Sequence, residues 1–412
     1  MKKHAVVLGA GVQGCTIALE IANRGFSVEL IDKDSKPFNR SSTRNEGKIH
    51  LGLVYMNDST FATPKIMLKA SLRFYNYLEK WIGKNVKDLN ISTPFYYLVS
   101  NESLLNPDQL QKGYNKLQLL YERERSEYPE LNYLGHSPRK LTRRVTNQEL
   151  SKHFDTKTLQ GGFHTAELAI DTTKLGHHLR RAVFKHSNIT FTPGHSVRSV
   201  SQINNSFTVE GDSDNGPWCK QTPQVINALW GGKYLIDKTM GIPIPENILH
   251  RLKYRLIAKL PGGMINYPSA TMVVGRFGDV VIRPDSTAYV SWYPEACLGW
   301  SNDIAPPKSW EGPCKGIVDP KDADRLAKLF LNHTEPWYPE IKNITPILVD
   351  AGNIVAVGNT DVDQKKSQLH KRSKIGVTSY GGYHSVETGK LTTAPMYALD
   401  TADAVEAFFN QQ

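Results

Sequence analysis

The chain has 412 residues, 40% of them hydrophobic and 22% charged, the profile of a folded protein of two or three domains with ample core. No stretch approaches the roughly 18 apolar residues of a transmembrane helix. The formal net charge of +10 comes from basic residues that are spread rather than blocked, with no nucleic-acid motif among them; this argues against a nucleic-acid binder and leaves solubility, an anionic substrate or peripheral contact with an anionic membrane face.

Residues 4–32 read as one unit. Ala5-Val6-Val7-Leu8 is an apolar run of the buried parallel-strand kind. Gly9-Ala10-Gly11-Val12-Gln13-Gly14 follows at once, and 15–23 keeps helical spacing with Ile17, Ala18 and Ile21 on one face. Gly25 supplies the helix stop, Ser27-Val28-Glu29-Leu30-Ile31 is a second strand, and Asp32 ends it. Gly9 suits a tight turn, Gly11 lets a pyrophosphate approach the backbone, and Gly14 lets the helix pack close to the strand. The helix start, at Val12 and Gln13, offers free N–H groups and a positive dipole end to phosphates. Asp32 lies 18 residues past Gly14, where a carboxylate accepts from both ribose hydroxyls and disfavours a 2′-phosphate, hence NADP. Lys33 beside it joins the candidate contacts. The unit reads as dinucleotide-binding, with a purely structural βαβ unit as the alternative. Because the glycines begin at residue 9, no signal peptide is expected. Cys15, Cys219, Cys297 and Cys314 show no metal-type spacing and read as reduced thiols of a cytoplasmic protein.

The polar loop that follows, Ser41-Ser42-Thr43-Arg44-Asn45-Glu46-Gly47-Lys48-Ile49-His50-Leu51-Gly52-Leu53-Val54-Tyr55, suits close wrapping of a polar ligand. Helices are expected over 61–83 and 107–127, with a strand at Phe95-Tyr96-Tyr97-Leu98-Val99 and a short helix at 146–154. Asp171 can N-cap a helix over 172–186. His177, His178 and His186 on that helix lack zinc-site partners, and no metal is expected. Strands follow at Ile189-Thr190-Phe191 and in a hairpin around Phe207-Thr208-Val209-Glu210. Gln224-Val225-Ile226 is another, leading into Asn227-Ala228-Leu229-Trp230-Gly231-Gly232. Residues 250–300 alternate in the manner of an antiparallel sheet, with Tyr254, Arg255, Arg283, Tyr289, Trp292 and Tyr293 as candidates to face a pocket. Period 2 puts Tyr289 and Tyr293 on one face and Trp292 on the other. Residues 297–315 read as irregular and 321–332 as a helix. Ile354-Val355-Ala356-Val357-Gly358 is a buried strand; Tyr383-His384 leads to Gly389-Lys390-Leu391-Thr392-Thr393 and a last helix.

These segments resemble a known family. The first thirty residues look like the FAD-binding start of glutathione-reductase-type flavoproteins. The loop pattern Ser42, Asn45, Gly47, Ile49-His50, Gly52-Leu53, Tyr55 resembles the D-amino-acid-oxidase superfamily, in particular its L-2-hydroxyglutarate dehydrogenases. Flavin-dependent glycerol-3-phosphate dehydrogenases share the Ser–Arg and Ile-His-x-Gly-Leu parts and a similar Gly-Lys-Leu-Thr-Thr run. The resemblance prefers FAD over NAD. It implies an α/β fold: a glutathione-reductase-type Rossmann domain (1–60, 155–245 and 340–412) interleaved with an α+β, antiparallel-sheet substrate domain (61–154 and 246–339). It implies that the loop, through Ser42, Thr43, Arg44, Asn45, Gly47 and Lys48, passes the pyrophosphate and reaches the flavin ring. Val197 falls where the family's backbone contacts adenine. Ala228 and Gly231 lie beside the FAD, where Leu229-Trp230 departs from the usual small residues. Gly389, Lys390, Leu391 and Thr392 meet the flavin edge, where N–H groups and the helix dipole stabilise charge on reduction.

Such a flavin takes a hydride equivalent from a carbon bearing nitrogen or oxygen, and the protein orients the substrate. An alcohol needs a general base. His50 is the first candidate against a merely hydrogen-bonded loop histidine, and His384 is the second. Lys390 resembles a lysine near the substrate in glycerol-3-phosphate dehydrogenases; Lys48 and Arg283 can anchor a carboxylate or phosphate. No cysteine or histidine aligns for covalent attachment, so FAD is expected to be non-covalent. The leading expectation is a dehydrogenase or oxidase of a small anionic hydroxy acid or polyol phosphate. The alternatives are an amine or amino-acid enzyme of the same fold, and a nucleotide binder without redox activity. Oxygen, a quinone or a protein are all open as electron acceptor.

Overall fold

Two sheets divide the chain. A computed structural model describes residues 3–275, 277–359, 364, 367, 371 and 375–411; the rest of the expected segment 340–412 lies outside the described residues. The first sheet has six strands in the order Gly376–Tyr380, Tyr383–Glu387, Val225–Asn227, His4–Leu8, Ser27–Ile31, Ile189–Thr192. All neighbours run parallel except the Gly376–Tyr380/Tyr383–Glu387 hairpin. Its central strands His4–Leu8 and Ser27–Ile31 are mostly apolar because both faces are covered. On one side lie helices Val12–Asn23, Thr172–Lys185 and Ala394–Asn410, joined by Ala62–Ile82. On the other lie helix Lys233–Thr239 and a three-stranded sheet, His195–Ile203, Ser206–Ser213 and Gly216–Thr222. Asp171 caps the second helix as expected, accepting from Thr173 N at 2.7 Å and Lys174 N at 3.3 Å.

The second sheet runs Cys297–Ser301, Ile248–Lys259, Thr287–Trp292, Gly278–Ile282, Ser269–Val273, Phe95–Ser100, Leu159–Thr165, Thr142–Val145, and Thr345–Val357 also pairs with Ile248–Lys259. It is antiparallel apart from the parallel pair Ser269–Val273/Phe95–Ser100. Alternation gives it two unlike faces. Leu98, Leu256, Val280, Ile282 and Val290 pack with Leu326 and Phe330 of helix Pro320–Thr334. The opposite face carries Tyr97, Lys253, Thr271, Asp279 and Tyr289. Among the described residues no helix is long and apolar enough to cross a membrane.

The sheets differ from the sequence reading in four places. Leu159–Thr165 and Thr345–Val357 both belong to the second sheet, so hydrogen bonding returns to the parallel sheet later than the boundaries at 155 and 340. Cys297–Ser301 is a strand on the edge of Ile248–Lys259, where irregular chain was expected; its partner supplies the pairing that its own composition does not announce. The period-2 placement of Tyr293 fails. The strand ends at Trp292 and Tyr293 opens the short helix Tyr293–Ala296, because Pro294 has no N–H to continue a ladder. Trp292 lies on the outer face, its ring stacked on His333 at 5.9 Å.

Candidate active site

The glycine turn joins the first strand to the first helix under tight constraint. Gly9 has φ +92°, and a Cβ on Gly14 would lie 1.7 Å from the Gly9 carbonyl oxygen. Ser42 Oγ accepts from Val12 N at 2.8 Å. The N–H groups of Gly11, Gln13 and Gly14 have no acceptor among the described residues. An open helix start of this kind takes a phosphate. Gln13 Nε2 donates to Ala394 O at 3.0 Å, which brings the start of the last helix beside that of the first. Asp32 is oriented by two backbone donors, Ala10 N at 2.5 Å and Asp34 N at 2.8 Å. Burial raises its pKa, and those two bonds oppose the rise. His195 N donates to the Asp32 backbone carbonyl at 2.9 Å, which places Val197 two residues past the one bonded to Asp32. Ala228 N donates to Leu8 O at 2.9 Å and flanks Gly9. Trp230 takes φ +55°, and its indole donates to Asn353 O at 2.9 Å, which is how the chain accommodates Leu229-Trp230 before Gly231.

From here the loop crosses to the second sheet. Asn45 braces it internally, donating to Ser41 O at 2.9 Å and accepting from Gly47 N at 2.9 Å. Lys48–Ile49 pairs with Leu168–Ala169. His50 N donates to Thr392 Oγ1 at 2.8 Å, joining the loop to the turn Leu391–Thr393 that precedes the last helix. Gly389 and Lys390 begin that turn, with Lys390 N donating to Thr388 O at 2.8 Å.

At this junction lies a buried polar cluster. The His50 ring has Nε2 3.7 Å from Glu46 Oε1 and Nδ1 3.4 Å from Glu167 Oε1. Lys48, 4% exposed, donates to Thr271 Oγ1 at 2.6 Å and Asp279 Oδ1 at 2.7 Å. Burial alone would raise the Glu46 pKa; the nearby His50 imidazole with the Lys253 and Lys390 cations outweighs it and holds the carboxyl well below the usual range. Asp279 is likewise lowered, burial being outweighed by Lys48 and Lys253. Burial would lower the Lys253 pKa, but Tyr289, Glu46 and Asp279 raise it. The cluster thus holds carboxylates, ammonium groups and one imidazole within a water-poor space. Glu46, Glu167, Lys253 and Asp279 were not among the residues expected from sequence. Asp279 left a trace, as a lone charge on an otherwise apolar strand; Lys253, one of several basic residues on its strand, and Glu167 left none.

The remaining expected residues fall elsewhere. Arg44 Nε pairs with Asp350 Oδ2 at 3.1 Å, and Arg255 Nε pairs with Asp350 Oδ1 at 2.6 Å, so both guanidinium groups are taken up in bracing the loop. Lys33 makes an exposed pair with Glu311 at 2.5 Å. Thr43 Oγ1 donates to Arg40 O at 3.1 Å. Tyr254 packs on the outer side with Trp310. Arg283 is 4% exposed, and its Nε and Nη2 have no hydrogen-bond partner among the described residues; Asp171, Arg255, Asp285 and Tyr289 are among its charged or polar surroundings.

His384 is not in the cluster. It sits inside the parallel strand Tyr383–Glu387, with Nδ1 2.8 Å from Ser379 Oγ and Nε2 3.1 Å from Gln224 Oε1. Burial pushes its pKa down to about 4. The unfolded chain takes up a proton near pH ~6.5 while the folded ring does not. Stability is therefore complete above pH ~6.5 and falls as pH drops toward 4, by on the order of 3 kcal/mol for this ring. Thermal melts across that window should show the fall, and His384→Gln should flatten it.

The arrangement fits FAD in its donor chemistry: open N–H groups for a pyrophosphate, an oriented carboxylate for ribose, and a second helix start where the flavin edge would lie. A sequence model of the family described as FAD dependent oxidoreductase (DAO) matches residues 4–402. The chain belongs to this family of FAD-dependent oxidoreductases. A reading as a nucleotide binder without redox activity falls away. Solved structures agree on the fold. Glycine oxidase from Geobacillus kaustophilus is 12% identical with a TM-score of 0.68, covering 98% of this chain and 95% of that one. L-proline dehydrogenase from P. horikoshii is 15% identical with a TM-score of 0.65, covering 98% and 94%. L-alpha-glycerophosphate oxidase from Mycoplasma pneumoniae, solved with FAD bound, is 14% identical with a TM-score of 0.62, covering 98% and 95%. In sequence, the tRNA 5-methylaminomethyl-2-thiouridine biosynthesis bifunctional protein of Ralstonia nicotianae is 39% identical over 49 residues, which is 12% of this chain and only 8% of that protein. By name these solved structures are an oxidase of glycine, a dehydrogenase of L-proline and an oxidase of L-alpha-glycerophosphate.

Proposed function

We propose that this flavoenzyme oxidises a small anionic hydroxy compound, a hydroxy acid or polyol phosphate, with His50 as the proton acceptor. The observation that supports the reading is a buried imidazole beside Glu46, whose carboxyl is held by the Lys253 and Lys390 cations, on a loop tied to the turn before the last helix. Oxidising an alcohol removes a hydride from carbon and a proton from oxygen. Bound FAD supplies the hydride acceptor. His50 takes the hydroxyl proton, and the lysines offset the charge of the substrate's anionic group. An amine or amino acid is the second reading, supported by Glu46, a buried carboxyl held in its charged form that could face an ammonium group.

FAD is proposed to be held without a covalent bond. Cys15 lies under the glycine turn with its Sγ 3.2 Å from Ala10 O, and burial with Asp32 pushes its thiol far up, away from a nucleophilic thiolate. Denaturing the yellow protein should release free FAD. The deciding experiment is anaerobic mixing of the holoenzyme with 2-hydroxy acids, glycerol 3-phosphate, amino acids and simple amines. Bleaching of the flavin by a hydroxy compound supports the first reading. Bleaching by amines alone overturns it. Reoxidation by oxygen, a quinone analogue or a protein acceptor then identifies the electron acceptor.

A further inference from the structure

We infer that Glu167 is a positioning residue that keeps the His50 ring protonated on Nδ1 and so leaves the Nε2 lone pair free for the substrate. The inference rests on His50 as proton acceptor and adds which nitrogen acts. Glu167 is 0% exposed, in the short link between Leu159–Thr165 and Leu168–Ala169. Its backbone is tied at both ends: its N–H donates to Thr165 Oγ1 at 3.1 Å and its carbonyl accepts from Phe95 N at 3.1 Å. Its carboxylate has little freedom. Oε2 accepts from Leu51 N at 2.7 Å, and Oε1 accepts from the Tyr97 hydroxyl. Oε1 lies 3.4 Å from His50 Nδ1, near enough for a direct charge interaction, although neither ring nitrogen completes a hydrogen bond among the described residues. A neutral imidazole turned to the other tautomer would set its own lone pair against that carboxylate; an N–H there sets a partial positive charge beside it instead.

The two carboxylates beside the ring are not equivalent. Glu46, 3.7 Å from Nε2, faces the Lys253 and Lys390 cations, which compete with the imidazole for it. The donors to Glu167 are a tyrosine hydroxyl and a backbone N–H, both neutral, so the imidazole N–H is its strongest remaining partner. The ring is also held by the edge of Tyr55, with centroids 5.4 Å apart, and the backbone at 50 is pinned to Thr392. Glu167 therefore sets the proton position on a ring whose place is already set, the arrangement that activates histidine bases in general.

The test is a nitrogen NMR spectrum of the FAD-loaded enzyme labelled with 15N-histidine, recorded above the titration of the ring. The His50 signals are those lost in His50→Asn. A hydrogen-bearing Nδ1 and a bare Nε2, in at least tenfold excess over the other tautomer, support the inference. An Nε2–H tautomer, or an even mixture, overturns it. Glu167→Gln is the second arm, with the panel compound that bleaches the flavin as substrate. It should shift the tautomer ratio and slow flavin reduction at least tenfold with flavin content and KM unchanged. If Glu167→Gln does not retain FAD, the spectrum of the unaltered enzyme decides alone. If His50→Asn reduces its flavin at the normal rate, the proton-acceptor reading fails. If His50→Asn is slow while Glu167→Gln keeps both rate and tautomer, only the role of Glu167 fails.

Discussion

His50→Asn is expected to bind FAD normally and to reduce it with a hydroxy substrate about 10²–10⁴-fold more slowly, the range for removal of a positioned general base. The separation of binding from rate follows from where the residue's contacts lie. The bond that ties the loop to the turn before the last helix uses the backbone N–H of His50 and Thr392 Oγ1, which any side chain preserves. Among the described residues the side chain's ionic and ring contacts are with Glu46, Glu167 and Tyr55. Asparagine is smaller and polar, so it leaves the two carboxylates in place without a base between them. Rapid-mixing measurement of flavin bleaching, with the flavin content of each preparation as control, checks the result. A variant that bleaches at the wild-type rate would remove His50 from the chemistry.

Gly14→Ala is expected to yield protein without flavin that does not recover it on addition of FAD. The alanine methyl would lie 1.7 Å from the Gly9 carbonyl oxygen, so turn and helix must separate. Gly9 cannot yield easily: its N–H is bonded to Ile31 O at 2.8 Å, and its own Cβ position is 2.9 Å from Ala228 O. Opening the turn displaces the N–H groups of Gly11, Gln13 and Gly14 and the Ala10 N–H that orients Asp32, hence both the pyrophosphate and the ribose contacts. Gly25→Ala is the control. It also sits at positive φ, +86°, but nothing lies within 4 Å of its Cβ position, so it should cost about 1 kcal/mol of stability and leave flavin content unchanged. The ratio of flavin to protein absorbance after purification separates the two.

Local order along the chain determined the cofactor half of this protein. Strand, glycine turn, helix, strand and Asp32 are contiguous, so their period and spacing carry the geometry without help from distant residues, and the structure places them as read. The loop at 41–55 and the turn at 389–393 were legible for the same reason: glycines and hydroxyls at short spacing need close neighbours, and they have them. The interior of the substrate site was decided only by tertiary structure. Glu46 and His50 share a loop, but Glu167, Lys253, Asp279 and Lys390 reach them from four separate elements, and nothing in the spacing of one element reports the charge brought by another. His384 shows the converse. Its neighbourhood in sequence suggested the flavin edge, yet hydrogen bonding to Ser379 and Gln224 holds it inside the sheet. A polar residue's role depends on the partners that burial forces upon it, and those partners are set by packing of the two sheets rather than by the order of the chain.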